Sequence, residues 1–133
     1  MVIDVVFHVI SKDETPEGGD IPDAQIGAQI DVMNAGFAGS DFQFRLTETT
    51  RTVEPSLLNM FYAQGGEPRF FRGSYKEIRM MQALYSGDSE TLNLYSSSLG
   101  KRLLGWAYLP WDFDPEIGNP LPRFYDGVVL DYR

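Results

Sequence analysis

The sequence predicts an α/β (α+β) fold: a single-domain layered αβα sandwich, in which two to three helices pack on a twisted mixed sheet of about five strands. Strand-like and helix-like segments alternate along the chain, a pattern typical of layered α/β proteins. The length of 133 residues suits one hydrophobic core. The composition, 43% hydrophobic and 23% charged, is typical of a folded globular protein. We therefore predict that residues 1–133 form one domain.

The first half of the chain predicts a strand, a helix and a second strand. Val2–Ser11 is almost continuously apolar and rich in β-branched residues, which predicts a strand buried on both faces. A helix is expected to begin near Pro22, because proline suits a first helical turn. The segment from Phe42 to Leu46 alternates apolar and polar residues, which predicts a half-exposed strand that extends through Thr49–Val53. One face of the helix carries Ile26, Ile30, Met33 and Phe37.

The second half predicts two more helices and three more strands. A helix should begin at Ser74, because Ser74 and Glu77 have the spacing of a capping box, and it should end at Gly87. Its apolar positions are Ile78, Met81 and Leu84. The remaining predicted segments are a short helix over Pro55–Tyr62, a loop over Gly65–Gly73, strands around Leu92–Leu94, over Leu103–Leu109 and over Tyr125–Tyr132, and a loop over Pro110–Arg123.

The charge and the hydropathy pattern exclude several classes of partner. The net charge is −8, from 19 acidic and 11 basic residues, and this balance disfavours nucleic acid and anionic lipid surfaces. No apolar run approaches the roughly 20 residues that a membrane-spanning helix needs, so we expect no membrane insertion. The first ten residues read as a strand and not as an intact signal peptide, although secretion is expected on other grounds given below.

The supply of metal-binding and nucleophilic residues is small. The chain has no cysteine and one histidine, His8, whereas an open catalytic zinc site needs three protein ligands. His8 lies in the middle of an apolar strand, so we expect a hydrogen-bonded core histidine. No G-x-S-x-G motif occurs, and a serine triad would have to rely on the same histidine. We therefore predict no catalytic residues, no metal and no cofactor.

An aromatic segment supplies the best candidate for ligand binding. Indole and phenol rings offer apolar platforms with polar edges, and neighbouring carboxylates accept hydrogen bonds from hydroxyl groups, a combination that suits a sugar ring. The alternative is that these aromatic residues simply pack in the core. The acidic residues also resemble the start of a calcium loop or a glycosidase pair, but the rest of a calcium loop is missing. The predicted ligand-binding residues are Trp106, Tyr108, Trp111, Asp112, Phe113 and Asp114.

Five segments, in order along the chain, resemble the pappalysin-like family of secreted zinc metalloproteases, including its fungal extracellular members. They are VVFHVI (Val5–Ile10), DAQIGAQIDVMNAGFAGSDFQFRL (Asp23–Leu46), TTRTV (Thr49–Val53), TLNLY with LGWAYLPW (Thr91–Tyr95 and Leu104–Trp111), and DGVVL (Asp126–Leu130). The resemblance implies the N-terminal half, or upper subdomain, of the catalytic domain. It also implies that the strand over Leu104–Leu109 lies along the substrate cleft. In the family an H-E-x-x-H helix follows the strand that resembles Asp126–Leu130, and this motif is absent here.

Three functional hypotheses follow. The leading one is a secreted, non-catalytic, glycan-binding protein on a truncated metalloprotease scaffold, which recognises a glycan or glycoprotein and forms a homodimer through an uncovered apolar sheet face. Small fungal lectins of similar size and layered build offer an analogy, although no lectin motif is matched. The alternatives are a fragment of a zinc metalloprotease that lacks its H-E-x-x-H helix, and a protein-binding decoy or inhibitor module that uses its edge strand.

Overall fold

The structure is a computed structural model, and it describes residues 1–53, 75–99 and 103–133. Two helices and five strands lie in these ranges. The predicted helix over Pro55–Tyr62, the loop over Gly65–Gly73 and the Ser74 cap lie outside the described residues. The elements are β1 (Val2–Ser11), α1 (Asp23–Gly36), β2 (Gln43–Val53), α2 (Tyr75–Leu84), β3 (Thr91–Ser97), β4 (Gly105–Ala107) and β5 (Val128–Asp131).

The five strands form one mixed sheet, in the order β2-β1-β3-β5-β4, which confirms the predicted fold class. The first four strands of this order are parallel, and β4 runs antiparallel to β5 at the sheet edge. The long strand β1, which is paired on both sides, is buried from Val5 to Ser11, as its continuous apolar sequence predicts. Two strands therefore occupy the sheet edges, β2 at one side and β4 at the other.

Helix α1 covers one face of the sheet. Ile26 and Ile30 are buried, as the predicted apolar spacing requires, and they pack on alternate residues of β1. Phe37 differs from the prediction, since it follows the helix and is exposed, with its ring edge-on to Phe42 and Phe44. The buried residues of this layer are Val5, Phe7, Val9, Ile21, Ile26, Ile30, Phe44 and Leu94.

Helix α2 lies on the opposite face, because successive residues of a strand point to opposite sides of the sheet. Tyr95 and Val129 face α2, while their neighbours Leu94 and Val128 pack on the α1 side. The described side chains of α2 contribute two buried methionines. The buried cluster on this face is Ile10, Met80, Met81, Tyr95, Leu99, Tyr125 and Val129. The layered αβα arrangement is thus confirmed.

The last two strands are shorter than predicted. β4 has three residues and not the seven of Leu103–Leu109; at its C-terminal end Pro110 begins a 3₁₀ turn in which Asp112 accepts a hydrogen bond from the Leu109 backbone N–H. β5 begins at Val128 and not at Tyr125, because a 3₁₀ turn at Arg123–Tyr125 precedes it. One turn thus follows β4 and the other precedes β5, and each limits the extended backbone on its side.

The second strand is more exposed than its alternation predicts. Phe44 is buried, but Phe42 and Leu46 are exposed. The pairing with β1 skips Thr47, so a register shift interrupts the alternation. Beyond it β2 continues to Val53, as its β-branched composition predicts.

Candidate functional site

The candidate site lies at the β4 edge of the sheet and in the aromatic loop that follows it. Among residues 1–53, 75–99 and 103–133, β4 pairs only with β5. The two strands pair at three positions: Gly105 with Leu130, Trp106 with Val129 and Ala107 with Val128. A strand that pairs on one side offers its other backbone edge to an extended partner.

A buried carboxyl group joins this edge to α2. The side chain of Glu77 is fully buried, and its two oxygens accept hydrogen bonds from two aromatic residues of the edge. Trp106 Nε1 donates to Oε1 at 2.5 Å, and Tyr108 Oη donates to Oε2 at 3.1 Å. Trp106 and Tyr108 thus point to the same face, as their spacing predicts, but that face is the interior. The sequence predicts that both contact a ligand, and the structure places their polar atoms against Glu77 of α2.

The two aromatic residues also pack in the core of the α2 face. The Tyr108 ring lies 5.0 Å from the Tyr125 ring, at an interplanar angle of 61°, and Phe124 stacks on Tyr125 at 4.8 Å. Trp106 and Tyr108 both contact the buried cluster there. This pair therefore packs on the core, as the alternative describes, while its ligand role stays a prediction.

The rest of the aromatic segment surrounds an open cavity of about 570 Å³. Trp111 is 62% exposed at its rim. The loop closes on itself, because the Leu121 backbone N–H donates to the Asp112 carbonyl at 2.8 Å. The cavity is lined by Pro110, Trp111, Phe113, Asp114, Pro115, Arg123 and Asp126. Three of the six predicted ligand-binding residues are thus brought together.

Sequence reasoning did not assign Arg123 or Asp126 to a site: Arg123 ends the predicted proline-rich loop, and Asp126 begins the DGVVL segment, which carries part of the family resemblance. Burial raises the pKa of Asp126, and the positive charge of Arg123 acts in the opposite direction. An opposite-charge pair at an aromatic wall can bind hydroxyl groups, since it supplies both donors and acceptors. The cavity is therefore amphipathic, with apolar rings on one part of its lining and charged groups on another.

The acidic residues of the loop accept hydrogen bonds from backbone N–H groups within turns. Asp112 accepts the hydrogen bond of the 3₁₀ turn described above and is not among the residues that line the cavity, so its ligand role stays a prediction. Asp114 accepts a hydrogen bond from the Glu116 backbone N–H at 2.9 Å. In the described part of the chain, no group of three or more histidine, cysteine, aspartate or glutamate residues could hold a metal ion. The described residues therefore do not fit a zinc or calcium site.

His8 is a core histidine with both ring nitrogens engaged. Nδ1 lies 2.7 Å from Thr50 Oγ1 and Nε2 lies 2.9 Å from Asn93 Oδ1. The Asn93 oxygen also accepts from the Ser86 backbone N–H, so Nε2 is the donor and Nδ1 accepts from the threonine hydroxyl. The Tyr95 ring stacks on the imidazole at 4.7 Å. This arrangement leaves neither nitrogen available to a metal.

No helix within the described ranges is long and apolar enough to cross a membrane.

Comparison with known proteins relates the chain to fungal extracellular metalloproteases. An extracellular metalloprotease of Verticillium alfalfae is 38% identical over 132 residues, covering 98% of this chain and 41% of that protein. One of Uncinocarpus reesii is 33% identical over 113 residues, covering 85% of this chain and 37% of that protein. The chain therefore spans about two fifths of the length of these relatives. No protein-family model matches the sequence.

A solved structure supports the same relation at the level of the fold. Mature mirolysin of Tannerella forsythia, solved in complex with a cleaved peptide, superposes with a TM-score of 0.56 at 23% identity. The alignment covers 99% of this chain and 53% of mirolysin. The chain is thus related, as a partial chain, to the metalloproteases, and the predicted resemblance is confirmed.

Proposed function

Because this relation extends along almost the whole chain, we propose that the chain forms the sheet-bearing part of the catalytic domain of a secreted zinc metalloprotease. The observation that carries the proposal is the sequence identity with the Verticillium protein, which is named an extracellular metalloprotease. The zinc ligands then come from sequence outside these 133 residues, since the whole chain has one histidine and no cysteine and no group of described residues could hold a metal ion. In this proposal the 133 residues alone do not hydrolyse peptides. The protein is secreted, by analogy with relatives that are named extracellular.

The test compares the natural secreted protein with the isolated 133-residue chain. The natural protein should cleave an unstructured polypeptide, and a zinc chelator should abolish the cleavage, because zinc supplies the Lewis acid and the activated water of such enzymes. The isolated chain should show no cleavage with or without added zinc. Cleavage by the natural protein that survives chelation would contradict the proposal.

Within this domain we assign β4 the role of pairing with an extended peptide. Three facts support this role: β4 lies at a sheet edge, it is antiparallel to its neighbour, and Leu104 beside it is 83% exposed. An added peptide strand gains backbone hydrogen bonds along such an edge. The similar fold of mirolysin was solved with a cleaved peptide.

Amide chemical shifts of the ¹⁵N-labelled chain test this role directly. At a concentration at which the chain is monomeric, titration with an unlabelled extended octapeptide should shift the amides of Gly105–Ala107 and leave β2 unchanged. The β2 edge is a matched control, because it is the other edge of the same sheet. Shifts on β2 of the same size, or none on β4, would rule out the assigned role.

The Trp111 cavity favours glycan binding as a second candidate function, in a lectin-like protein. An exposed indole beside Arg123 and Asp126 suits a sugar ring, whose faces are apolar and whose rim carries hydroxyl groups. Replacing Trp111 with Ala should abolish saturable binding on a glycan array. The exposed Phe42, at the opposite sheet edge, provides the control, since Phe42→Ala should leave binding unchanged. An array with no sugar-competable signal for the wild type would exclude this function.

A further inference from the structure

Glu77 is a polar residue of the α2 face that neither the relation to metalloproteases nor the Trp111 cavity explains. Its side chain is fully buried, and removing a carboxyl group from water is unfavourable unless hydrogen bonds replace the hydration. The two donors it meets, Trp106 and Tyr108, both belong to the edge assigned to peptide pairing. Core packing alone does not explain why a carboxyl group is buried beneath this edge.

The backbone pairing of the edge strand with β5 is short. β4 pairs with β5 at three positions, and the chain turns away at Pro110. Trp106 lies in the middle of the strand, and Tyr108 lies one residue beyond its end. Glu77 therefore holds the strand at Trp106, which is paired with β5, and again at Tyr108, which lies beyond the end of that pairing.

We propose that Glu77 is a positioning residue, which holds β4 through Trp106 and Tyr108 in the orientation that an extended peptide substrate requires. This role rests on the proposed peptide-pairing function of β4. Glu77 itself lies beneath the edge, on α2, and acts through the two aromatic side chains. Since the carboxyl group binds both donors at once, movement of the strand away from the sheet breaks two hydrogen bonds together.

The two indole N–H resonances of the chain report this hold without any ligand. Trp106 and Trp111 are the two tryptophans, and Trp111 is largely exposed, so its resonance is an internal reference. In Glu77→Leu the Trp106 indole N–H should exchange with solvent at least about tenfold faster, because its acceptor is lost. The Trp111 resonance should not change. Glu77→Gln should keep most of the protection, since its amide oxygen accepts from Trp106 and its amide nitrogen donates to the Tyr108 oxygen.

Peptide affinity tests the positioning role itself. Glu77→Leu should weaken binding of the octapeptide about tenfold, as expected for the loss of one or two hydrogen-bond contributions, while Glu77→Gln should stay close to the wild type. Ala83→Gly is the matched control, because Ala83 is exposed on α2 and glycine weakens the helix by about 1 kcal/mol without touching β4. Where Glu77→Leu does not fold, Trp106→Phe and Tyr108→Phe each remove one of the two donors.

The outcomes separate this role from the function on which it rests. Equal weakening in Ala83→Gly and Glu77→Leu would show a merely structural residue and overturn the proposal, as would unchanged affinity in both single-donor variants. A wild type that binds no peptide would overturn the peptide site and the positioning role together. In that case the exchange of the Trp106 indole would still show whether Glu77 holds the strand.

Discussion

At the scale of single residues, His8 shows how a buried imidazole is kept uncharged in this sheet. Both of its ring nitrogens are occupied, one by the Thr50 hydroxyl and one by the Asn93 amide oxygen. Burial lowers the pKa of His8 below its ordinary value of 6.5, and this effect outweighs the opposing effects of the Asn93 hydrogen bond and the Glu48 charge. A proton on Nδ1 would face a hydroxyl that now donates to it.

This lowered pKa predicts a dependence of stability on pH. Below about pH 6.5 the unfolded chain binds a proton at His8 that the folded chain resists, so the free energy of unfolding falls as the pH drops. The slope from this one group is at most about 1.4 kcal/mol per pH unit. Urea unfolding from pH 8 to pH 5 measures it, with His8→Gln as the reference that lacks the titration. Parallel curves for the two proteins would contradict the account.

Two tyrosines on the α2 face predict opposite effects of the same substitution. Tyr95 Oη is buried and has no hydrogen-bond partner among the described residues, whereas Tyr108 Oη donates to Glu77. Tyr95→Phe should therefore raise the free energy of unfolding by about 1 kcal/mol, and Tyr108→Phe should lower it by about 1 kcal/mol. Thermal unfolding of both variants measures the difference. The same sign for the two changes would mean that the hydroxyl environments are misassigned.

At the scale of elements, the contact between β4 and β5 depends on the absence of a side chain at Gly105. A Cβ atom there would lie 2.3 Å from the Val129 backbone oxygen, so the two strands would have to separate. Gly105→Ala should lower the free energy of unfolding by about 1–3 kcal/mol and weaken peptide binding at the edge.

Gly27→Ala is the control for this change. Gly27 lies within α1, and a Cβ atom there would meet no atom within 4 Å, so alanine should stabilise the protein by about 0.5–1 kcal/mol. Unfolding in guanidinium chloride compares the two variants. A Gly105→Ala protein as stable as the wild type would show that the edge strand is not held this closely.

Elements with a strong local signal could be predicted from the sequence, and those that depend on turns could not. Val2–Ser11 is a strand with the predicted bounds, because its apolar character continues along its length. The ends of β4 and β5 are set by 3₁₀ turns at Pro110 and Arg123, whose hydrogen bonds no periodicity reveals.

The candidate site was predictable only in part for a similar reason. Trp111 and Phe113 lie in one loop, so composition alone brings them together. Glu77 is 29 residues before Trp106 in sequence, and the predicted capping box with Ser74 gives no sign of a contact with the edge strand. Whether an aromatic residue faces a cavity or a buried carboxyl group depends on contacts between distant segments.

At the scale of the whole molecule, exposed apolar side chains gather along the β4 edge and the loop after it. An apolar surface of this kind is typical of an interface. In a longer metalloprotease chain, a bound peptide would cover the β4 edge and further sequence would cover the loop after it, while the isolated 133 residues would cover this surface by self-association. The exposed residues are Leu103, Leu104, Leu109, Trp111 and Ile117.

The isolated chain should therefore form a homodimer through this edge, and not through the uncovered sheet face that the sequence predicts, because α1 and α2 lie on the two faces of the sheet. Sedimentation velocity should show a concentration-dependent dimer, and Leu104→Lys should return it to the monomer. Val32→Lys, an equally polar change at an exposed residue of α1, should leave the dimer intact. A wild type that stays monomeric at high concentration would contradict this prediction.

Sequencing the natural transcript past the codon for Arg133 tests the central claim most directly. The claim is that this sheet, with its peptide-pairing edge, is one part of a secreted zinc metalloprotease. It predicts an open reading frame that continues in frame and encodes an H-E-x-x-H helix, whose two histidines bind zinc and whose glutamate activates the bound water. A stop codon directly after Arg133 in the natural transcript would contradict it.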